Sequence, residues 1–237
     1  MNEPEKNSAL IICAHGSADN DYNRDFSIFF SKIKAKIKKN VFYCFVEKSE
    51  PSIQQCIELV SKSYPSINFL PLFIFNGYHV DKDIRNELKI AERAKNAKIN
   101  LIEKVSLFND ISTIVNEEIK KKLKTDKENV IIVSCSNSSE NNLKIELNKY
   151  IEKICPKIDN KFSCLSGDEE SVLTNLDKFD KNNINVIVHP LFFFGGYLYK
   201  KNIKILKTKH KLNVLLPLSY YEEIINLMVH KLIAQPL

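Results

Sequence analysis

Residues 67–84 read INFLPLFIFNGYHVDKDI, and residues 184–203 read INVIVHPLFFFGGYLYKKNI. The two segments line up without a gap when Pro71 is placed on Pro190 and Gly77 on Gly196. A second pair, LIICAHGS at 10–17 and VIIVSCSN at 130–137, lines up at nearly the same offset. Similarity of this length, at corresponding places in two series, points to duplication of one fold. Around these segments, apolar runs alternate with stretches of helical period. The first half predicts strands at 8–14, 41–47, 67–75 and 99–105, with helices at 20–39, 51–64, 81–95 and 109–124. The second predicts strands near 129–134, 159–164, 184–194 and 212–218, with helices near 138–154, 169–179, 199–209 and 219–234. Continuous apolar strands alternating with helices imply parallel sheets covered by helices. The expectation is an α/β chain of two duplicated open-sheet domains, flavodoxin- or Rossmann-like, at 1–124 and 125–237. A cleft is expected between them.

Composition narrows the function classes. The chain of 237 residues carries a formal charge of +6, nearly all from lysine, with arginine only at Arg24, Arg85 and Arg93. A mildly basic surface favours an acidic small molecule over a neutral one. The runs KIKAKIKK and EEIKKKLKTDK lack the interleaved aromatics of a nucleic-acid groove, so no nucleic-acid partner is expected. The apolar run FLPLFIF is too short for a bilayer, which needs roughly 20 apolar residues. The segment MNEPEKNS has no signal-peptide features, and the expected location is the cytoplasm. None of the six cysteines forms a C-x-x-C pair. They read as buried reduced thiols, not disulfides, zinc ligands or iron–sulfur ligands. No G-x-G-x-x-G or G-K-[ST] motif is present, which argues against a flavodoxin-like nucleotide module.

Ligands of open parallel sheets bind beyond the carboxyl ends of the strands. His15 follows the first predicted strand, Glu47 ends the second and His79 follows the third, so all three rise from one edge. Gly16 and Gly77 let the backbone turn sharply beside them. Two imidazoles and a carboxylate suit two tasks: ligating a borderline divalent metal, or accepting protons near neutral pH.

The stretches LIICAHGS, FVEKSEPSI and PLFIFNGYHVDKDI, in this order over residues 8–95, resemble the sirohydrochlorin chelatases of the CbiX/SirB type, within the class II tetrapyrrole chelatases. The duplicated second half resembles the two-domain members. The resemblance implies insertion of Fe²⁺ or Co²⁺ into sirohydrochlorin, on the way to sirohaem or cobalamin. It implies no cofactor beyond that substrate metal. His15 and His79 would be the active-site histidines that hold metal or take pyrrole protons, with Glu47 tuning the imidazoles or relaying protons. Tyr78 would flank the macrocycle, and Ser17, Lys82 and Arg85 would meet its peripheral carboxylates. Ala14 stands where the family has glycine, and Ala18 where an arginine is common; the second change would remove a carboxylate contact. A ferrochelatase acting on another porphyrin and a non-catalytic tetrapyrrole or metal carrier are the rival readings.

The second half is expected to lack a site. The gapless alignment sets Cys135 against His15, Ser166 against Glu47 and Leu198 against His79. His189 reads as a satisfied core histidine, and His210 and His230 as surface residues on helices. One active site per chain follows, in a monomer or a homodimer.

Overall fold

The structure, a computed structural model, describes residues 8–37, 40–74, 84–95, 97–102, 108–137, 141–208 and 210–234. Its chain falls into two compact units, Met1–Ser106 with Ile225–Leu237, and Leu107–Ile224. This division differs from the 1–124 and 125–237 halves of the sequence repeat. Each half's last helix is exchanged between the units.

The first unit contains β1 (Ser8–Ala14), α1 (Asn20–Lys36), β2 (Asn40–Phe45), α2 (Ile53–Val60), β3 (Ser66–Pro71), α3 (Arg85–Lys95) and β4 (Lys98–Leu101). Its strands form one parallel sheet in the order β2-β1-β3-β4. Every residue of β1 is buried, as expected for a central strand covered on both faces. On α1, Phe26, Phe29, Phe30 and Ile33 repeat at helical spacing and are buried as one stripe. Asp19 caps this helix by accepting the Asp21 and Tyr22 N–H groups. The helix expected from Pro51 begins two residues later. Ser52 is its N-cap, and Gln55 completes a reciprocal capping box with it. Pro51 precedes the cap, and its carbonyl accepts the Phe45 N–H at 2.9 Å.

The second unit repeats the scheme with α4 (Phe108–Lys120), β5 (Glu128–Cys135), α5 (Asn141–Lys153), β6 (Lys161–Leu165), α6 (Glu169–Leu176), β7 (Ile184–Pro190), α7 (Tyr197–Leu206) and β8 (Leu212–Val214). The parallel order is β6-β5-β7-β8, the same topology as the first sheet. Asn116 fastens α4 to the end of α5: its side chain donates to Lys153 O and accepts the Cys155 N–H. A 3-10 turn, Leu218–Tyr220, leads into α8 (Glu222–Ala234). Most of α8 belongs to the first unit, where Lys36 of α1 donates to Asn226 at 2.9 Å. All six cysteines are free and buried. Among the described residues no helix is long and apolar enough to cross a membrane.

Candidate active site

In the first unit the loops that follow β1, β2 and β3 emerge at the carboxyl edge of the sheet. Pairing between β1 and β2 continues past their formal ends. Val46 donates to the Ala14 carbonyl at 3.0 Å, and Glu47 donates to the His15 carbonyl at 2.9 Å. This ladder brings His15 Nδ1 to 3.6 Å from Glu47 Oε1. The separation is an electrostatic contact, longer than a good hydrogen bond. Both side chains are partly open, 39% and 42% exposed, so solutes can reach them. Lys48 Nζ lies 3.1 Å from the same Glu47 oxygen, which sets the carboxylate between an imidazole and an ammonium. Phe73 meets the His15 ring edge-on, with centroids 6.3 Å apart.

The surroundings of Nδ1 decide the chemistry of the imidazole. Nδ1 faces the Glu47 carboxylate and lies 3.3 Å from the Gly16 carbonyl oxygen. Two acceptors beside Nδ1 favour the tautomer protonated there, which puts the lone pair on Nε2.

The loop carrying His15 is held by its neighbours. Gly16 has φ +89°, and a Cβ there would lie 1.8 Å from the Glu47 carbonyl oxygen. Only glycine fits this backbone and this approach. The Gly16 N–H donates to Tyr22 Oη at 3.3 Å. Burial raises the Tyr22 phenol to about 12, so it remains a neutral hydrogen-bonding group. Lys48, with φ 58°, turns the opposite loop so that Ser49 reaches back to Ser17.

Of the other expected site residues, Ser17 is half-buried and its Oγ accepts the Asp19 N–H at 3.0 Å. Arg85 is half-buried as the first residue of α3. Tyr78, His79 and Lys82 lie outside the described residues. Among the described residues no group of three or more His, Cys, Asp or Glu side chains is placed to hold a metal ion. Sequence reasoning passed over Tyr22, Asn23, Lys48, Ser49 and Phe73. The first four carried a usable signal, since they occupy the first turn after H-G-S and the loop after Glu47, at the same edge.

At the corresponding edge of the second unit, the ladder corrects the gapless alignment. Cys13 pairs with Cys44 and Pro71, whereas Ser134 pairs with Cys164 and Pro190. Cys135 therefore stands at the place of Ala14, and Ser136 at that of His15. Ser166 donates its N–H to Cys135 as Val46 does to Ala14, so Gly167 occupies the place of Glu47. Cys135 is buried, and burial pushes its thiol up to about 12.

A closed polar network fills this region. The Asn202 amide, wholly buried, satisfies its neighbours with its NH₂ toward Leu198 O (3.0 Å) and Glu169 Oε1 (2.9 Å). Its carbonyl then accepts from the Ser134 and Ser166 hydroxyls, each at 3.0 Å. Glu169 Oε2 accepts the Gly167 N–H at 2.9 Å. His189 is buried, with Nε2 2.9 Å from Tyr150 Oη, but it is only half satisfied: Nδ1 has no partner among the described residues. Burial lowers its pKa to about 3. His210 is buried as well, not on the surface as expected, with Nε2 3.5 Å from Asp177 Oδ1. His230 is exposed on α8.

The CbiX family model matches residues 9–122. A sirohydrochlorin cobaltochelatase of Sulfolobus acidocaldarius is 30% identical over 115 residues, 48% of this chain and 91% of the relative. Among solved structures, the sirohydrochlorin chelatase SirB from Bacillus subtilis subspecies spizizenii, in complex with cobalt, superposes with a TM-score of 0.74 at 18% identity. That match covers 94% of this chain and 92% of the other. SirB from Bacillus subtilis with Fe³⁺ gives 0.77 at 17% identity, over 95% and 94% of the two chains. The CbiX described as the terminal enzyme for siroheme biosynthesis in denitrifying bacteria gives 0.69 at 11% identity, over 96% and 99%. At these identities the likeness establishes a shared fold.

Proposed function

The chain belongs to the CbiX family, and on that premise we propose that it is a chelatase inserting Fe²⁺ or Co²⁺ into sirohydrochlorin. The observation that carries the reading is the His15–Glu47 pair at the carboxyl edge of the first sheet. Metallation exchanges two pyrrole protons for one divalent ion, so the site must handle a cation and accept protons together. His15, through Nε2, and His79 hold the incoming metal or take the pyrrole protons. Glu47 stabilises the imidazolium that results and passes the proton outward. Lys48 shares the Glu47 carboxylate with His15, at 3.1 Å from the same oxygen.

Sirohydrochlorin carries several peripheral carboxylates, which suit a chain of net charge +6. Ser17, Lys82 and Arg85 are the groups assigned to them, and Tyr78 flanks the ring. Nitrogen donors suit both Fe²⁺ and Co²⁺. No nucleotide enters the exchange, and the chain works as a monomer or homodimer in the cytoplasm.

The test is anaerobic incubation of the purified protein with Co²⁺ or Fe²⁺ and sirohydrochlorin, and separately with a porphyrin, followed by absorption. Sirohydrochlorin metallation above the uncatalysed rate supports the proposal. Metallation of the porphyrin alone moves the assignment to a ferrochelatase. A spectral shift from binding without insertion makes the protein a carrier. Unchanged activity in both His15→Ala and His79→Ala would remove the two histidines from the mechanism.

A further inference from the structure

We infer that Ser49, held by Asn23, is a positioning residue that clasps the His15 loop to the Glu47 loop. The inference rests on the proposed role of that pair and assigns the part that keeps it assembled. The two loops leave neighbouring parallel strands and share main-chain pairing only as far as His15 and Glu47. Beyond that point the backbones would diverge, and Ser49 closes the gap with its side chain. Its Oγ accepts the Ser17 N–H at 3.0 Å. Its single proton is offered to the Ser17 carbonyl at 3.0 Å or to Asn23 Oδ1 at 3.2 Å. The Asn23 amide donates to the same Ser17 carbonyl at 2.9 Å.

The consequence for His15 follows from counting its loop's polar backbone groups. The His15 carbonyl accepts from Glu47, the Gly16 N–H donates to Tyr22, and both backbone groups of Ser17 meet Ser49 or Asn23. Asn23 and Tyr22 lie in the first turn of α1, whose cap, Asp19, is itself bonded to the Ser17 hydroxyl. The loop is thus fixed from a helix on one side and from Ser49 on the other. Neither Ser49 nor Asn23 touches the reacting atoms in this scheme. They set the direction of Nε2 by holding the two residues after His15, and preorganisation of this kind governs both metal affinity and turnover.

The test compares full-length wild type with Ser49→Ala, Ser49→Thr and Asn23→Ala. Co²⁺ binding is measured by titration calorimetry without tetrapyrrole, and sirohydrochlorin metallation by absorption. The expected result for Ser49→Ala is Co²⁺ binding weakened about 10-fold and kcat lowered by a similar factor. KM for sirohydrochlorin should rise as well, because the clasp also holds Ser17, a proposed carboxylate contact; Co²⁺ affinity without tetrapyrrole reads the effect on His15 separately. Ser49→Thr, which keeps the hydroxyl, should return both quantities to within about threefold of wild type. Asn23→Ala should weaken Co²⁺ binding in the same direction, which tests the clasp even if Ser49→Ala does not fold. Unchanged Co²⁺ affinity and kcat in Ser49→Ala or Asn23→Ala overturn the clasp, as does a loss that Ser49→Thr fails to recover. If wild type binds Co²⁺ in a Ser49-dependent way but does not metallate, the clasp stands and the chelatase reading falls.

Discussion

Gly16 passes so close to Glu47 that a Cβ on the glycine would lie 1.8 Å from the glutamate's carbonyl oxygen. The obstacle is main chain, so no rotamer change relieves it, and φ +89° adds a conformational cost for any L side chain. Gly16→Ala should therefore lower stability by at least about 2 kcal/mol and separate the His15 and Glu47 loops. Urea unfolding and metallation assays check this. A variant with wild-type stability and activity would show that the two loops do not need this approach.

Glu47 and its neighbour Lys48 should respond unequally to substitution. Glu47→Gln keeps the shape but removes the charge facing Nδ1, and should lower metallation about 10- to 100-fold. Lys48→Met removes a partner whose side chain is 61% exposed, and exposed pairs contribute little. Its activity should stay within about threefold of wild type. Steady-state kinetics of the two variants would refute this ordering if Lys48→Met were the more damaged.

The buried His189 predicts acid sensitivity of the second unit. Its folded-state pKa is lowered by burial to about 3, below the 6.5 of an unperturbed imidazole. The neutral ring contributes its full stability above pH 6.5, and that contribution is lost as pH falls toward 3. At ~1.4 kcal/mol per pKa unit the loss is on the order of 5 kcal/mol. Leu70, which precedes Pro71 in β3 as His189 precedes Pro190 in β7, shows the apolar alternative. A His189→Leu/Tyr150→Phe double variant should flatten the pH dependence of the unfolding midpoint between pH 6.5 and 3. An unaltered profile would place the acid sensitivity elsewhere.

Cys135 should be inert in the folded chain. A thiol raised from 9.0 to about 12 has a ~1000-fold smaller thiolate fraction near neutral pH. Labelling with a thiol reagent at pH 8, followed by peptide mass analysis, should leave Cys135 unmodified until denaturant is added. Cys135→Ala should metallate as wild type does. Rapid native labelling, or loss of activity in that variant, would give the thiol a functional role.

Much of the architecture was readable before the structure. β1 was expected at 8–14 and is found at Ser8–Ala14, because an apolar run between turn residues has few other ways to satisfy its backbone. The strands predicted at 67–75 and 184–194 end at Pro71 and Pro190, although the apolar run continues past each proline. His15 and Glu47 were found from topology alone: parallel strands send their following residues to one edge. Ser49, in the loop before α2, and Asn23, in the first turn of α1, carry no chemistry-bearing pattern in the sequence, and only their bonds to Ser17 give them a role.

The Gly16–Glu47 approach shows where sequence reading ended. The sequence by itself determined that the chain is a duplicated parallel α/β protein and which edge of the first sheet carries the imidazole and the carboxylate. The matching segments around Pro71 and Pro190, hydrophobic periodicity and the places of His15 and Glu47 after successive strands suffice for both. Only the tertiary structure decided the register between the halves, where Ser136 and Gly167, not Cys135 and Ser166, answer to His15 and Glu47. The physical reason is that β1 is buried on both faces and β5 nearly so. Their side chains do not alternate between core and solvent, so a one-residue slip leaves the apolar pattern unchanged, and only the hydrogen-bond ladder distinguishes the two alignments.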